Sequence, residues 1–62
     1  MKWKCKNGNF VERFYDRRTR SSVTVVLDKD LNQIGDANYD GNKLSAAFSK
    51  EQMIKENGGL AN

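Results

Sequence analysis

Residues 1–15 read MKWKCKNGNFVERFY and carry the clearest structural pattern of the chain. Apolar and basic residues alternate over its first six positions, which is the period-two pattern of a strand with one buried face. Asn7-Gly8 follows, and this pair favours a tight hairpin because a type I′ turn needs a positive φ at both central positions. The sequence therefore predicts two antiparallel strands, over residues 1–6 and 9–15.

A two-residue turn at Asn7-Gly8 also predicts the register of the hairpin, with Cys5 opposite Phe10 and Trp3 opposite Glu12. In that register the two faces of the hairpin separate by polarity. The apolar face would carry Met1, Trp3, Cys5, Phe10 and Phe14, with Glu12 as the exception. The other face would carry Lys2, Lys4, Lys6, Val11, Arg13 and Tyr15.

Two more turns extend the hairpin into a meander. Residues 16–19 are typical of a turn in which the Asp16 carboxylate accepts from the backbone two residues on. This turn pairs Glu12 with Val23 and adds Val23, Val25 and Leu27 to the apolar face. Residues 28–32 form the third turn and lead to a weaker edge strand over residues 33–39, with Ile34 facing the core.

A helix is predicted over residues 43–57, with Asn42 as its cap and Asn57-Gly58-Gly59 as its end. Its apolar stripe would consist of Leu44, Ala47, Phe48 and Ile54. A second interpretation begins the helix later, because Ser49 and Gln52 make a capping box. Residues 43–48 would then be a fifth strand; we take the single long helix as the prediction.

These elements predict an α+β fold over one domain, residues 1–62: a four-stranded antiparallel β-meander with one C-terminal helix packed on the apolar face, and a tail over residues 58–62. Two turns that were inferred independently agree on which face is apolar, which supports the sheet. The predicted core consists of Trp3, Phe10, Phe14, Val23, Val25, Leu27, Ile34, Leu44, Phe48 and Ile54.

The length of 62 residues is near the lower limit for an independent core. With one cysteine, Cys5, and no histidine, the chain can form neither an internal disulfide nor a histidine-containing zinc site. Stability has to come from well-formed secondary structure or from a homodimer. Residues 28–32 copy the start of a calcium-binding EF-hand loop, but Gln33 stands where that loop needs glycine, so a hairpin turn is the better interpretation. No metal or cofactor is expected.

Several functions are disfavoured by composition. Without histidine the chain lacks the usual proton shuttle near neutral pH, so we do not expect an enzyme. No apolar run is long enough to span a bilayer, and no apolar stretch follows the basic start as a secretory signal would require. Together with the lone cysteine, expected to be a buried small hydrophobe, this favours a cytoplasmic protein.

Positive charge is concentrated at the start of the chain. Residues 1–20 contain seven basic and two acidic residues, or +5, whereas residues 21–62 contain four basic and six acidic residues, or −2. The net charge of +3 therefore conceals a dipolar molecule. One end should attract anionic groups, with a field that salt would screen.

The candidate binding residues are the basic side chains of this region and one aromatic: Lys2, Lys4, Lys6, Arg13, Tyr15, Arg17, Arg18 and Arg20. We expect a non-enzymatic binding module that docks its basic hairpin face on an acidic surface of a partner protein. The alternative is sequence-tolerant nucleic-acid binding by the same face, since an aromatic among cations suits stacking of single-stranded bases. A third interpretation is a solvated face on a structural or dimeric scaffold. Trp3 is expected in the core, although an exposed Trp beside Arg would suit a binding surface.

Residues 25–35, VVLDKDLNQIG, followed by a helix that ends KENGG at residues 55–59, resemble the layout of small orphan proteins of bacteriophages and prophages. Those proteins are often a short meander plus a helix. The resemblance implies a role in binding and redirecting one host protein, or in some cases nucleic acid. It assigns no functional residue to this chain.

Overall fold

The computed structural model describes all 62 residues, and they form one sheet and one helix. The elements are β1 (Lys2–Lys4), β2 (Phe10–Asp16), β3 (Ser21–Leu27), β4 (Gln33–Asp40) and α1 (Lys43–Glu56). The strands are antiparallel in the order β1-β2-β3-β4, and α1 packs against the sheet. The predicted α+β class and meander are confirmed. The single helix is too short and too polar to cross a membrane.

The first hairpin has a longer loop than predicted. The Gly8 N–H donates to the Cys5 carbonyl at 3.0 Å, and the Cys5 N–H donates to the Asn9 carbonyl at 2.8 Å. Within the turn only Gly8 has a positive φ, of 93°. This is a three-residue loop, a turn followed by a left-handed glycine, and not the predicted type I′ turn.

The longer loop shifts β1 by one residue, so the predicted register was wrong. Trp3 lies opposite Val11, and Lys2 lies opposite Glu12. Because side chains alternate between faces, a shift of one residue moves every side chain of β1 to the other face. Trp3 and Cys5 therefore share a face with Val11 and not with the phenylalanines of β2.

The register of the second hairpin differs from the predicted register by two residues, so its side chains lie on the predicted faces. Asp16 lies opposite Ser21 and Glu12 opposite Val25. A shift of two restores the same alternation, so the predicted grouping of Phe10, Glu12, Phe14, Val23, Val25 and Leu27 on one face is confirmed. The predicted Asp16 turn is also confirmed, since its Oδ1 accepts from the Arg18 N–H at 2.9 Å.

The helix covers the face of the sheet that carries Val11, Thr24 and Asn38, here called the covered face. The Asn38 side-chain amide donates to the Ser49 hydroxyl of α1 at 2.7 Å. Ala46 of α1 is buried, as are Val11 and Thr24. Small side chains on both sides thus allow α1 to approach the sheet closely.

Both ends of α1 are capped, which excludes a fifth strand over residues 43–48. The Asn42 Oδ1 accepts from the Ser45 N–H at 2.9 Å, as predicted. At the other end the Gly58 N–H donates to the Lys55 carbonyl at 3.1 Å and the Gly59 N–H to the Ile54 carbonyl at 2.8 Å. This is a Schellman motif, for which Gly58 has the required positive φ of 91°.

The segment after α1 extends the sheet. The Lys6 N–H donates to the Gly59 carbonyl, and the Ala61 N–H donates to the Lys4 carbonyl, both at 2.9 Å. The Asn57 Oδ1 also accepts from the side-chain amides of Asn7 and Asn9 at 2.9 Å each. These bonds tie the helix end to the first turn and pair the outer edge of β1, leaving the outer edge of β4 unpaired.

The third turn is confirmed, and the edge strand beyond it is irregular. The Asp28 Oδ1 accepts from the backbone N–H groups of Asp30 and Asn32 at 2.9 Å each. In β4, residues 35–37 lie opposite Val25 alone, which makes a bulge. Ile34 is exposed, so its predicted place in the core was wrong.

The opposite face of the sheet, here called the open face, has no helix on it. Val23, Val25 and Leu27 form its buried cluster, against which Phe10 and Ala37 pack. Phe14 is 48% exposed, and the predicted core residues Leu44 and Phe48 are 85% and 63% exposed. These three assignments were wrong because α1 lies on the other face and turns its small residues toward the sheet.

Candidate functional site

The structure places the residues of the predicted basic face on different sides of the sheet. Lys2 and Lys4 lie on the open face, because they pair with Glu12 and Phe10. Arg13 and Tyr15 lie on the covered face, because the β1 shift separates them from the lysines. Lys6 lies in the first turn, at the far end of the molecule beside Gly58.

Five of the eight predicted residues lie at one end of the sheet, where β2 ends and α1 begins. Arg13 and Tyr15 lie in the last four residues of β2, and the loop to β3 over residues 17–20 follows directly. Arg13 and Lys43 both line a shallow cavity of about 430 Å³. We call this set the arginine corner: Arg13, Tyr15, Arg17, Arg18, Arg20 and Lys43. Nothing in the local pattern around Lys43 predicted its place in this set, since that place depends on which face the helix covers.

Arg13 and Trp3 are held together on the covered face. The Arg13 guanidinium lies 5.8 Å from the centroid of the Trp3 ring, and the Lys50 ammonium lies 4.8 Å from it. Cations at these distances are attracted to the electron-rich face of the indole ring. Trp3 is therefore a half-buried support for Arg13 and not a fully buried core residue.

The loop of the arginine corner is shaped by Asp16 and Arg20. Asp16 accepts from the Arg18 backbone, and its carboxylate lies 3.9 Å from the Arg18 Nε. Such an exposed ion pair contributes little to stability. Arg20 has a φ of 53°, a left-handed conformation that is uncommon outside glycine and asparagine.

The corner has a surplus of positive charge. Arg18–Asp16 is the only ion pair in the protein, so the other cations of the corner have no carboxylate within 4.0 Å. The N-terminus of α1 adds the partial positive charge of its backbone dipoles, and its first turn contains no acidic residue. Guanidinium groups in this setting can form charge-assisted hydrogen bonds to carboxylates or phosphates.

Other reactive groups lie away from this corner. Cys5 is buried, as predicted, and desolvation raises the pKa of its thiol above the ordinary value of 9.0. No group of three or more His, Cys, Asp or Glu side chains lies together in a way that could hold a metal ion.

Two apolar surfaces are also exposed, and the sequence predicted neither. One is the open face, where Tyr39 is 56% and Phe14 48% exposed, on either side of Val23. The other is the outer side of α1, where Leu44 and Phe48 lie one turn apart. Their exposure depends on the face that the helix covers, and the local pattern does not reveal it.

No protein-family model, curated protein or solved structure matches this chain. The functional assignment therefore depends on the surfaces described above.

Proposed function

We propose that this protein is a small non-enzymatic binding module whose arginine corner docks on an acidic surface of a partner protein. The observation that carries this proposal is the grouping of five cations and one tyrosine around a single ion pair. In line with the resemblance to bacteriophage accessory proteins, the partner would be a host protein that the module modulates or inhibits.

The corner has the composition of a binding hot spot. Arginine and tyrosine are enriched among residues that dominate binding energy, and arginine binds carboxylates in a bidentate manner. Arg13 is supported by Trp3, and the loop is shaped by the Asp16 cap, so less side-chain and loop entropy is lost on binding. One or two substitutions, with Tyr15 or Arg18 the first candidates, should therefore remove most of the affinity.

The three N-terminal lysines would act over a longer range. Lys2, Lys4 and Lys6 do not lie in the arginine corner, but they add to the same positive field. Charges outside a contact surface mainly raise the association rate and its dependence on salt. We therefore assign direct contacts to the corner and electrostatic steering to the lysines.

One observation favours the second candidate function, sequence-tolerant binding of nucleic acid. Tyr15 is 61% exposed and stands on the same face as Arg13 and next to the arginine loop. An exposed aromatic ring beside arginines can stack on an unpaired base while the cations contact phosphates.

The test compares tagged wild type with two variants of equal charge in pull-downs from bacterial lysate, with and without nuclease. The corner variant combines Arg17→Gln and Arg18→Gln. The control combines Lys29→Gln and Lys55→Gln, two exposed lysines that belong neither to the corner nor to the steering lysines. Recovered proteins are identified, purified and titrated by calorimetry.

We expect one protein that survives nuclease and binds in a defined ratio. The corner variant should bind it at least about tenfold more weakly, and the control should change affinity by less than about twofold. Nucleic acid that is lost on nuclease treatment, with a salt slope that falls by about one per lost phosphate contact, would replace the proposal with its alternative. Equal losses in both variants would contradict a localised site of either kind.

A further inference from the structure

We infer that the cavity of the arginine corner binds a phosphomonoester group. In the docked complex, which rests on the proposed function, this group is a phosphorylated side chain of the partner protein. The cavity has a volume of about 430 Å³ and lies between the sheet and the first turns of α1. Its lining consists of Arg13, Ser22, Lys43, Ala46 and Ala47.

The three polar side chains of this cavity have no partner within the protein. The Arg13 guanidinium, the Lys43 ammonium and the Ser22 hydroxyl make no hydrogen bond to another protein group. Neither cation has a carboxylate within 4.0 Å, since the only ion pair joins Arg18 to Asp16. Arg13 is half-buried, and a guanidinium that is partly removed from water normally has an anionic partner. An anion in the cavity would supply the acceptors that these groups lack.

The beginning of α1 adds two backbone donors beside Lys43. The first N–H groups of a helix have no acceptor inside the helix. Asn42 accepts from the N–H groups of Ser45 and Ala46, through its side chain and its carbonyl. The N–H groups of Lys43 and Leu44 remain without an acceptor, and the helix dipole places partial positive charge at this end. An anion held by Lys43 therefore meets a favourable potential.

Arg13 is held in place before any ligand binds. Its guanidinium lies 5.8 Å from the centroid of the Trp3 ring. Its backbone forms two hydrogen bonds of 2.9 Å with Met1, one of them donated by the N-terminal ammonium. This ammonium adds a further positive charge beside Arg13. A cation that is fixed in this way loses less side-chain entropy when an anion binds.

Charge and geometry favour a phosphoryl group over a carboxylate. Two cations line the cavity, and no carboxylate does. A phosphorylated side chain carries a charge of about −1.5 to −2 near neutral pH and three acceptor oxygens. It can therefore engage Arg13, Lys43 and Ser22 together, in part through bidentate hydrogen bonds to the guanidinium. A carboxylate has one charge and two oxygens, so it would leave one cation unpaired.

The carboxylate nearest in register, that of Asp40, does not occupy these donors. Asp40 lies opposite Ser22 in the pairing of β3 with β4. Its Oδ2 accepts from the Asn38 amide at 2.9 Å, and it forms no ion pair with Arg13 or Lys43. Its negative charge lowers the affinity of the cavity for every anion. We therefore expect measurable binding only from a ligand that uses several donors at once.

The two alanines leave room for the group that carries the phosphate. A volume of about 430 Å³ is within the range of small-molecule sites. Ala46 and Ala47 provide small apolar walls, which suit the carbon atoms of a phosphorylated serine or threonine. A larger side chain at position 47 would fill this space without a change of charge. Such a variant separates binding inside the cavity from general attraction of anions.

Titration of the ¹⁵N-labelled protein with three small anions tests the site, at pH 7 and constant ionic strength. The probes are methyl phosphate, a monoester that is mostly a dianion, dimethyl phosphate, a monoanionic diester like the nucleic-acid backbone, and acetate. We expect methyl phosphate to bind with a Kd of about 1–10 mM, at least about fivefold more tightly than the other two. The amide signals of Ser22, Lys43 and Leu44 should move most.

Two variants with matched controls locate the binding. Lys43→Gln removes one cation of the cavity, and Lys29→Gln in an exposed turn is the control of equal charge. Ala47→Leu fills the cavity, and Gln52→Leu at an exposed position of the same helix is its control. We expect each test variant to weaken methyl phosphate binding at least about fivefold and each control to change it by less than about twofold. The amide spectra show whether each variant is folded.

Equal affinities for the three anions, or no saturation by about 50 mM methyl phosphate, would overturn the cavity site. So would an Ala47→Leu protein that binds methyl phosphate like wild type. A partner recovered in the pull-downs is then titrated before and after phosphatase treatment, which should weaken binding at least about tenfold. Unchanged affinity would overturn the phosphorylated partner. The titrations with small anions need no partner protein, so the cavity site and the proposed function can fail separately.

Discussion

The two faces of the sheet differ in what covers them. The covered face contains Thr24 and Asn38 together with Trp3, Val11 and Val26 under the small helix residues, whereas the open face contains the valine cluster with its aromatic neighbours. Both faces are therefore apolar in part, and only one carries the helix. This shows that close approach and fixed ends, and not apolar content alone, decided where the helix packs.

The ends of the helix explain this choice. Only two residues separate β4 from α1, and Asn57 at the other end of the helix accepts hydrogen bonds from the first turn. The following segment then pairs with β1. Because the helix is held at both ends, it packs the side with small residues against the sheet. Here that side is formed by Ala46 and Ser49.

The largest expected effect comes from moving Trp3 between the faces. Deleting Lys4 shifts Trp3 by one position, from the covered face to the open face, and places Lys2 beside Arg13 and Lys50. We expect the free energy of unfolding to fall by about 3 kcal/mol, measured by urea denaturation. Lys4→Ala keeps the strand length and should change it by less than about 0.5 kcal/mol. Equal urea midpoints for the two variants would show that stability does not depend on which face of the sheet Trp3 occupies.

A matched pair of valine substitutions compares the faces directly. Val11→Ala on the covered face and Val23→Ala on the open face each remove two buried methyl groups, at a cost of about 2 kcal/mol. Urea denaturation of the two variants measures both costs. A Val23→Ala protein that is as stable as wild type would show that the valine cluster of the open face contributes nothing to stability.

The next prediction is an increase in the free energy of unfolding. The Thr24 hydroxyl is fully buried on the covered face, and its Oγ1 has no hydrogen-bond partner. A buried hydroxyl without a partner loses its interaction with water and gains nothing in return. Thr24→Val should therefore raise the free energy of unfolding by about 1 kcal/mol, whereas Thr19→Val in the exposed loop should have little effect. A less stable Thr24→Val protein would show that the hydroxyl is satisfied in solution.

The smallest effect is a loss of stability at high pH. Burial raises the pKa of the Cys5 thiol above 9.0 in the folded protein, while the unfolded thiol keeps its ordinary pKa. Above that value the unfolded chain loses a proton that the folded chain retains, so stability is full below about pH 9 and declines as pH rises further. Cys5→Ala should lack this component in denaturation series between about pH 8 and pH 10. Plots of unfolding free energy against pH that run parallel for wild type and Cys5→Ala would contradict this role of the thiol.

Local sequence predicted the parts of the fold that depend on neighbouring residues. The predicted bounds of β2, β3 and α1 agree with the structure to within one residue. The Asp16 turn and the Asn42 cap are also as predicted, because turn and cap chemistry involves groups only a few residues apart. The shared face of β2 and β3 was also predicted correctly, since a two-residue shift leaves side-chain alternation unchanged.

The candidate site was predicted only in part. The arginine loop and its neighbours Arg13 and Tyr15 do lie together, because they are continuous with one strand end. Lys2, Lys4 and Lys6 were grouped with them through a register that was wrong by one residue. Asn7-Gly8 is compatible with both a two-residue and a three-residue loop, and the choice between them reverses the faces of β1.

The order of the elements, their ends and the alternation along each strand could be read from the sequence, since these follow from contacts within a few residues. The register of β1, the face that α1 covers and the set of apolar residues that face solvent were settled in the tertiary structure. Those features depend on groups far apart in the chain, such as Asn57 with Asn7 and Ser49 with Asn38. A one-residue difference in a loop has almost no local signature, yet it moves a whole strand's side chains to the other side of the sheet.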